Sequence, residues 1–305
     1  MKGCASVKIK RKGIETVTNK KQMNKRYYFF FLVFTAISVW AFAVAGAPRD
    51  FLSVYALDIG QGDAIFIETP QRHQILIDGG PDARVVSELG SVMSFWDRSI
   101  DLIVLTHPQE DHMFGLLEVL RRYDVANVLL TGVNYHTRTY EEFKKAVEKE
   151  GARVTLARAG ENIRFDDGVA IAILFPANAI AGIDAPADVN DTSVAARLRF
   201  GEKTFLFMGD AGMQEEAALI HSGDNIDIDV LKVSHHGSKT STSQLFLEKT
   251  TPALAVVSVG AKNKYGHPHQ DTLARLRGVP LYRTDTQGRI AVYTDGERIS
   301  VATER

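Results

Sequence analysis

The sequence predicts an α/β fold with sheets covered by helices, on three observations. From about residue 50 onward, short apolar strand-like runs alternate with helical stretches. Several neighbouring runs are joined by glycine turns, so antiparallel hairpins occur among them and a purely parallel barrel is excluded. The third observation is IDLIVLTHPQEDHMFG, residues 100–115. It reads as a buried strand that ends in His107, Asp111 and His112 and turns at once into a helix carrying Met113, Leu116, Leu117 and Leu120. A strand end that delivers metal-type ligands is how an α/β protein places chemistry at the carboxyl edge of its sheet.

The amino-terminal section stands apart. Residues 1–26 carry nine Lys or Arg and one Glu, a basic tail, and the remaining chain has 27 basic and 36 acidic side chains, a net of −9. A domain that acidic is no general electrostatic trap for nucleic acid, although a local basic groove remains compatible with it. Residues 27–47 contain no charge, and as a helix they would extend roughly 31 Å, close to bilayer thickness. With Lys20, Lys21, Lys25 and Arg26 on one flank, the expectation is a single transmembrane helix with the catalytic domain extracytoplasmic, bound to the lipid bilayer through residues 27–47. A cleaved signal peptide is the competing reading, since Ala43-Val44-Ala45 has the small-x-small form. The only cysteine, Cys4, lies in the tail, which excludes an intrachain disulfide and a cysteine-rich metal site.

The domain from 50 to 305 then reads in order. Strands are expected at 51–59, 64–68 and 74–80, with a tight turn at Gly60-Gln61-Gly62-Asp63 and a strand end at Asp78-Gly79-Gly80. A helix over 83–96 precedes the ligand-bearing strand. Residues 125–132 form a strand and 139–151 a polar-faced helix stopped by Gly151. Short strands follow at 153–160 and 162–176, turning at Asp166-Asp167-Gly168, and the Ala-, Pro- and Asp-rich stretch 177–190 is long enough to be a rim or lid. A hairpin over 193–200 and 203–210 ends at Asp210, and a helix over 213–221 comes next. The strand over 226–237 delivers His235 and His236; 245–250 ends a helix, 253–260 is a buried strand, and strands at 281–286 and 289–295 close the chain. No linker or repeat divides 50–305, so one domain is expected.

Thus His107, Asp111, His112, Asp210 and His235 all fall at or just beyond strand ends. Imidazole and carboxylate together suit zinc or manganese, and an Asp can bridge two cations. A divalent cation lowers the pKa of bound water, giving a hydroxide that attacks phosphorus or a carbonyl. Asp58 and Asp78 are candidates for orienting ligand imidazoles, and Ser234, Ser238, Lys239 and His269 for contacting a substrate phosphate. Lys239 in particular favours an anionic phosphoryl group over a neutral β-lactam.

LDIGQGDAIFI, ILIDGG, LTHPQEDHMFG, NDTSVAARL, FLFMGD, LKVSHHGSKTS and YGHPH occur in one order along residues 57–269. On these motifs the chain resembles the metallo-β-lactamase fold and, within it, the hydrolase domain of the ComEC/Rec2 family of DNA-internalisation proteins. The resemblance implies a four-layer αββα sandwich with one or two Zn or Mn ions between the sheets. By position it implies that His107 binds a first metal and Asp111 and His112 a second. Asp210 bridges the two, and His235, preferred over His236, joins the second site. Asp210, Asp111 and His112 would carry the chemistry, and Ser193 and His267 join the candidate substrate contacts. Gln109 stands where the superfamily pattern has a histidine, and Asn190 and Asp191 occupy the region of another, which implies a weak, manganese-occupied or vacant first site. The function implied is phosphodiester hydrolysis, with DNA as a substrate and DNA-uptake or envelope proteins as partners of a monomer. The alternatives are hydrolysis of phosphocholine or teichoic phosphoesters, and a non-catalytic metal-binding scaffold.

Overall fold

A computed structural model describes residues 25–45 and 49–305 of the chain. Two units are compact, divided between Gly46 and Ala47. In the first, helix α1 runs Lys25–Ala45; the expected basic tail lies outside the described residues, apart from Lys25 and Arg26. The side chains described in α1 are those of residues 27–39, an apolar stretch of about 20 Å at the helical rise, against a hydrocarbon core of about 30 Å. Among the described residues no helix is long and apolar enough to cross a membrane. The expected transmembrane helix, the bilayer contact through residues 27–47 and the single-pass extracytoplasmic placement are therefore corrected.

The second unit is built on two sheets. The first has strands β1 (Leu52–Ala56), β2 (Ile65–Glu68), β3 (Gln74–Ile77), β4 (Ser99–Val104), β5 (Asp124–Leu130) and β6 (Arg153–Leu156), with helices α2 (Arg84–Val92), α3 (Glu110–Leu120) and α4 (Arg138–Glu150) between them. The second has β7 (Asn162–Arg164), β8 (Ala170–Phe175), β9 (Ala195–Phe200), β10 (Lys203–Phe207), β11 (Val230–Lys232), β12 (Leu254–Val257) and β13 (Leu281–Arg283), with α5 (Met213–Ser222), α6 (Gln244–Thr250) and α7 (Gln270–Arg275). After the short α8 (Thr284–Gln287), β14 (Ile290–Thr294) and β15 (Ile299–Thr303) return to the first sheet. The strand orders are β15-β14-β1-β2-β3-β4-β5-β6 and β13-β12-β11-β10-β9-β8-β7. Each sheet is antiparallel at one side and parallel at the other, from β3 to β6 and from β10 to β13. β15 was not anticipated, and the strand expected over 281–286 stops at Arg283, where its polar end Thr284-Asp285-Thr286 begins α8.

Both faces of each sheet are covered, which is why its central strands read as continuous apolar runs. In β10, Phe205 and Phe207 enter the core between the sheets, while Leu206 and the following Met208 face the opposite way, beneath the outer helices. Next to β4, Leu102 and Val104 face the inter-sheet core, and Ile103 and Leu105 pack under the helices of the first sheet. The result is a helix, sheet, sheet, helix sandwich, with the ends of its parallel strands free to carry polar side chains. α4 shows the capping that fixes such helices: Tyr140 N–H donates to the Thr137 side chain, and Gly151 closes it at φ 77°.

Candidate metal centre

The carboxyl ends of the parallel strands of both sheets meet at one place. The first sheet contributes Asp78 after β3, His107 after β4, and Asp111 and His112 in the first turn of α3. The second contributes Asp210 after β10 and His235 and His236 after β11. Gly79 and Gly115 make this approach possible. A Cβ on Gly115 would lie 1.9 Å from the Gly79 carbonyl oxygen, and the backbones close with Gly79 N–H donating to His112 O at 2.6 Å and Gly115 N–H to Gly80 O at 2.9 Å. The motif glycines thus press the start of α3 onto the Asp78 loop.

Asp111, His112, Asp210 and His236 each offer a ligand atom within 4.8 Å of the others. His112 Nε2 lies 3.3 Å from Asp210 Oδ1, and His236 Nε2 lies 3.5 Å from both Asp111 Oδ2 and Asp210 Oδ2. The His107 and His112 rings lie 4.2 Å apart, centroid to centroid, tilted by 54°. Four atoms aimed into this space, His107 Nε2, His112 Nε2, His236 Nε2 and Asp210 Oδ1, are buried without a hydrogen bond. Orphaned polar atoms are costly in an interior, and a cation held by the four-residue cluster would satisfy three of these, His112 Nε2, His236 Nε2 and Asp210 Oδ1. The donor set fits a divalent metal of the zinc or manganese kind.

The other sides of these rings are held in place. Asp78 accepts from Thr106 N–H at 2.8 Å and from Thr106 Oγ1 at 2.7 Å, and its Oδ2 lies 2.7 Å from His112 Nδ1. His236 Nδ1 is 3.1 Å from the Ser258 carbonyl oxygen and 3.3 Å from Asp63 Oδ1. His107 Nδ1 faces Thr106 Oγ1 at 3.0 Å and Ser193 Oγ at 3.4 Å, and Ser193 Oγ accepts from Asp210 N–H at 3.1 Å. Partners of this kind fix imidazole tautomer and aim.

The electrostatics follow from burial and charge. Burial opposes a charge on His112, but Asp210 and Asp78 outweigh it and hold the ring well above its ordinary value. Burial is again outweighed at His236, where Asp210 and Asp63 raise the ring to about 10. His107 is pushed down to about 3 by burial and by His112. Asp210 is held well below the usual range: its burial is overcome by His236 and His112.

The remaining expected residues are placed as follows. His235, the histidine expected to ligate, lies outside the four-residue cluster, partly exposed, with Nε2 3.7 Å from Asp210 Oδ2. Asp58 is not at the centre; its Oδ2 accepts from Arg305 at 2.7 Å. Gln109 caps α3 through its backbone and makes no side-chain cap. Ser234 Oγ donates to Ala211 O at 2.6 Å, a backbone tie, and Ser238 Oγ lies 3.0 Å from Thr240 Oγ1. His267 is 5.7 Å, ring to ring, from His235 and is lowered to about 4 by burial and by His236 and His235. His269 caps α7 by accepting from Asp271 N–H. A cleft of about 550 Å³ opens beside Asp210, lined by Asn190, Asp191, His235, Lys239 and Thr240 among others. The Asn190 side-chain oxygen is buried without a partner.

Sequence reasoning passed over Asp63 and Lys232. The Lys232 ammonium is 3% exposed and donates to Asp63 Oδ2 at 2.6 Å, directly behind His236. A lysine inside the otherwise apolar run VLKV was the available signal, because lysine is almost never fully buried unless paired.

A family model for the metallo-beta-lactamase superfamily matches residues 57–261. Two curated relatives are 30% identical: ComE operon protein 3 of Bacillus subtilis (strain 168) over 77% of this chain, and Competence protein ComA of Neisseria gonorrhoeae over 80%. Recombination protein 2 of Haemophilus influenzae is 27% identical over 83%. The chain spans about a third of the length of these relatives, 32%, 32% and 30%. Among solved structures, the metallo-beta-lactamase fold protein YhfI from Bacillus subtilis superposes with a TM-score of 0.50 at 11% identity, covering 76% of this chain and 96% of that one. CmlA, a diiron beta-hydroxylase from Streptomyces venezuelae, gives 0.50 at 14%, covering 84% and 55%. These two likenesses concern the fold alone. The chain belongs to the metallo-β-lactamase superfamily as a metal-binding hydrolase related to the ComEC/Rec2 proteins.

Proposed function

We propose that this hydrolase cleaves phosphodiester bonds, with DNA as the substrate, in a site held by Asp111, His112, Asp210 and His236. The observation that carries the reading is the opening of that cluster into a cleft with a lysine, Lys239, beside Asp210. An ammonium there attracts a phosphodiester anion and does nothing for a neutral amide. A divalent cation bound by the four residues supplies an acidified water and Lewis-acid stabilisation of charge on the phosphoryl oxygens. Asp210, held ionised by its histidine neighbours and with its backbone N–H donating to Ser193 Oγ, would orient that water. His107 sits buried on the His112 ring and stays neutral, so its Nε2 acts as an acceptor. The names of two of the relatives, one a competence protein and one a recombination protein, support DNA over other phosphodiesters.

A second reading rests on the cleft's carboxylates. Asp188, Asp191, Glu215 and Asp271 share its lining with Lys239, an arrangement suited to a phosphoester that also carries a cation, such as phosphocholine. Single-stranded DNA, duplex DNA, bis-nitrophenyl phosphate, a phosphocholine ester and nitrocefin, each assayed with manganese and with zinc, separate the readings. DNA cleavage lost by at least about a hundredfold in Asp210→Asn is the expected result. Turnover of the choline ester alone transfers the assignment to the second reading, and an Asp210→Asn enzyme of full activity sinks both.

A further inference from the structure

The outer face of β7, β8 and β9 carries a trough that the hydrolytic site does not use. Its floor is Ala170 and Ala172 of β8. The strand registers set Asn162 and Arg197 on either side of Ala172, and Arg164 and Arg199 on either side of Ala170. Ile163, Ile171 and Leu198, the alternate residues, point into the inter-sheet core, so the polar set faces outward. The trough measures about 500 Å³, is lined also by Gly168 and Gly201 of the hairpin turns, and contains no carboxylate. Small floor residues between long cationic walls are an unusual use of a sheet face, which packs helices elsewhere in this fold.

The three arginines are free of acidic partners. Among the described residues none makes an ion pair: Arg197 donates to the Asn225 carbonyl, Arg199 Nε to the Gly201 carbonyl at 3.0 Å, and Arg164 to nothing. Arg197 and Arg199 also border the neighbouring pocket across β9 with Glu202, Asp227 and Asp229; none of these carboxylates ion-pairs with either arginine, and Lys203 neutralises Asp229 at 3.0 Å. In a chain whose portion after residue 26 carries a net charge of −9, three unpaired guanidinium groups on one open face form a local anion-binding surface.

We propose that this trough binds the backbone of a single-stranded nucleic acid. Side chains two residues apart on a strand are about 6.8 Å apart, and walls two strands apart are about 9.6 Å apart. The walls therefore admit one sugar-phosphate chain, with Arg197 and Arg199 meeting successive phosphates from one side and Arg164 from the other. Guanidinium forks match phosphate oxygens. Phe200 is the one aromatic residue along the trough and it packs against the inter-sheet core, so the contacts are to phosphates and the binding is indifferent to sequence. This surface is separate from the metal centre, and it gives the acidic domain the local basic groove that its net charge alone would not suggest.

The test is fluorescence anisotropy of a labelled single-stranded oligonucleotide of about 20 residues with the full chain in chelator, as salt is varied. The three trough contacts are expected to contribute about −2 to the wild-type slope of log affinity against log salt, roughly −0.7 each, on top of the contribution of the basic residues 1–26. Arg164→Gln/Arg199→Gln is expected to weaken binding at least about tenfold and to make the slope shallower by about 1.4. Arg164→Gln alone, which removes no internal contact, lowers the slope by about 0.7 without changing thermal stability. Hydrolysis of bis-nitrophenyl phosphate with manganese stays at the wild-type rate in both variants. Unchanged affinity and slope in the double variant overturn the proposal, as does equal, arginine-dependent binding of duplex DNA or of polyglutamate. Binding in chelator needs no metal, so its outcome is independent of whether phosphodiesters prove to be the hydrolysed substrate.

Discussion

His235 and His236 are neighbours with identical chemistry, and their backbone gives them different places. Both have positive φ, 49° and 53°, so the strand alternation that ends at Lys232 no longer decides which ring points inward. His236 is 1% exposed with its Nδ1 on Ser258, while His235 stands at the rim of the cleft. His236→Ala should therefore cost about ten- to a hundredfold in metal affinity, and His235→Ala only a few-fold, as read by chelator competition. The Asp63–Lys232 pair behind His236 makes a second residue-level prediction. Lys232→Met leaves the buried Asp63 carboxylate with only the His236 ring beside it, at 3.3 Å, a loss of about 3 kcal/mol by urea unfolding. Adding Asp63→Asn removes the stranded charge and should recover much of it. Neither partner of this pair was visible as such in the sequence, because 169 residues separate them and only the folded sheets bring them together. Asp78, His107, Asp111, His112 and Asp210 were legible for the opposite reason: each follows an apolar strand directly, and strand ends in an α/β fold share an edge.

At the level of elements, the turns opposite the metal edge also tie the two sheets. His73, in the β2–β3 turn, places Nε2 2.7 Å from Asp166 Oδ1 in the β7–β8 turn, stacks on Phe165 at 5.1 Å, and is joined by Gln71 N–H donating to Asp167 at 3.1 Å. Burial works against a charged His73, but Asp166 and Asp101 outweigh it and raise its pKa. A basic group with a raised folded pKa contributes fully below its unfolded value of about 6.5 and loses that contribution as pH rises through the folded value. The urea midpoint of the wild type should accordingly fall, relative to His73→Gln, as pH rises above about 6.5; parallel profiles would remove the clamp. The hairpin turn at Asp166-Asp167-Gly168 was readable from its residues, whereas its contact with another sheet's turn was not, since turn chemistry specifies local geometry and leaves the neighbour open. The same limit explains β15, whose alternation is half-exposed and weak.

Across the whole molecule, the ligand set divides between the two sheets: Asp111 and His112 come from the first, Asp210 and His236 from the second. Apart from the Asp63–Lys232 pair and the Ser193–His107 contact near the centre, the inner faces of the sheets join by apolar packing, so a cation at this edge would act as a cross-link between them. Without it, the two raised histidines hold protons that balance the ionised Asp210, and binding must displace those protons. Metal affinity is thus expected to rise with pH and protons to be released on binding, measurable by calorimetry in buffers of different ionisation enthalpy. Because only the folded pair of sheets assembles the ligands, a cation at a hundred times its dissociation constant should add about 2.7 kcal/mol, a thermal shift of roughly 5–10 °C for a unit of this size. Asp210→Asn should abolish the shift, since it removes the one carboxylate that faces His112, His235 and His236 together. A shift that survives this substitution would mean that the stabilising cation sits elsewhere, and the division of ligands between the sheets would no longer account for it.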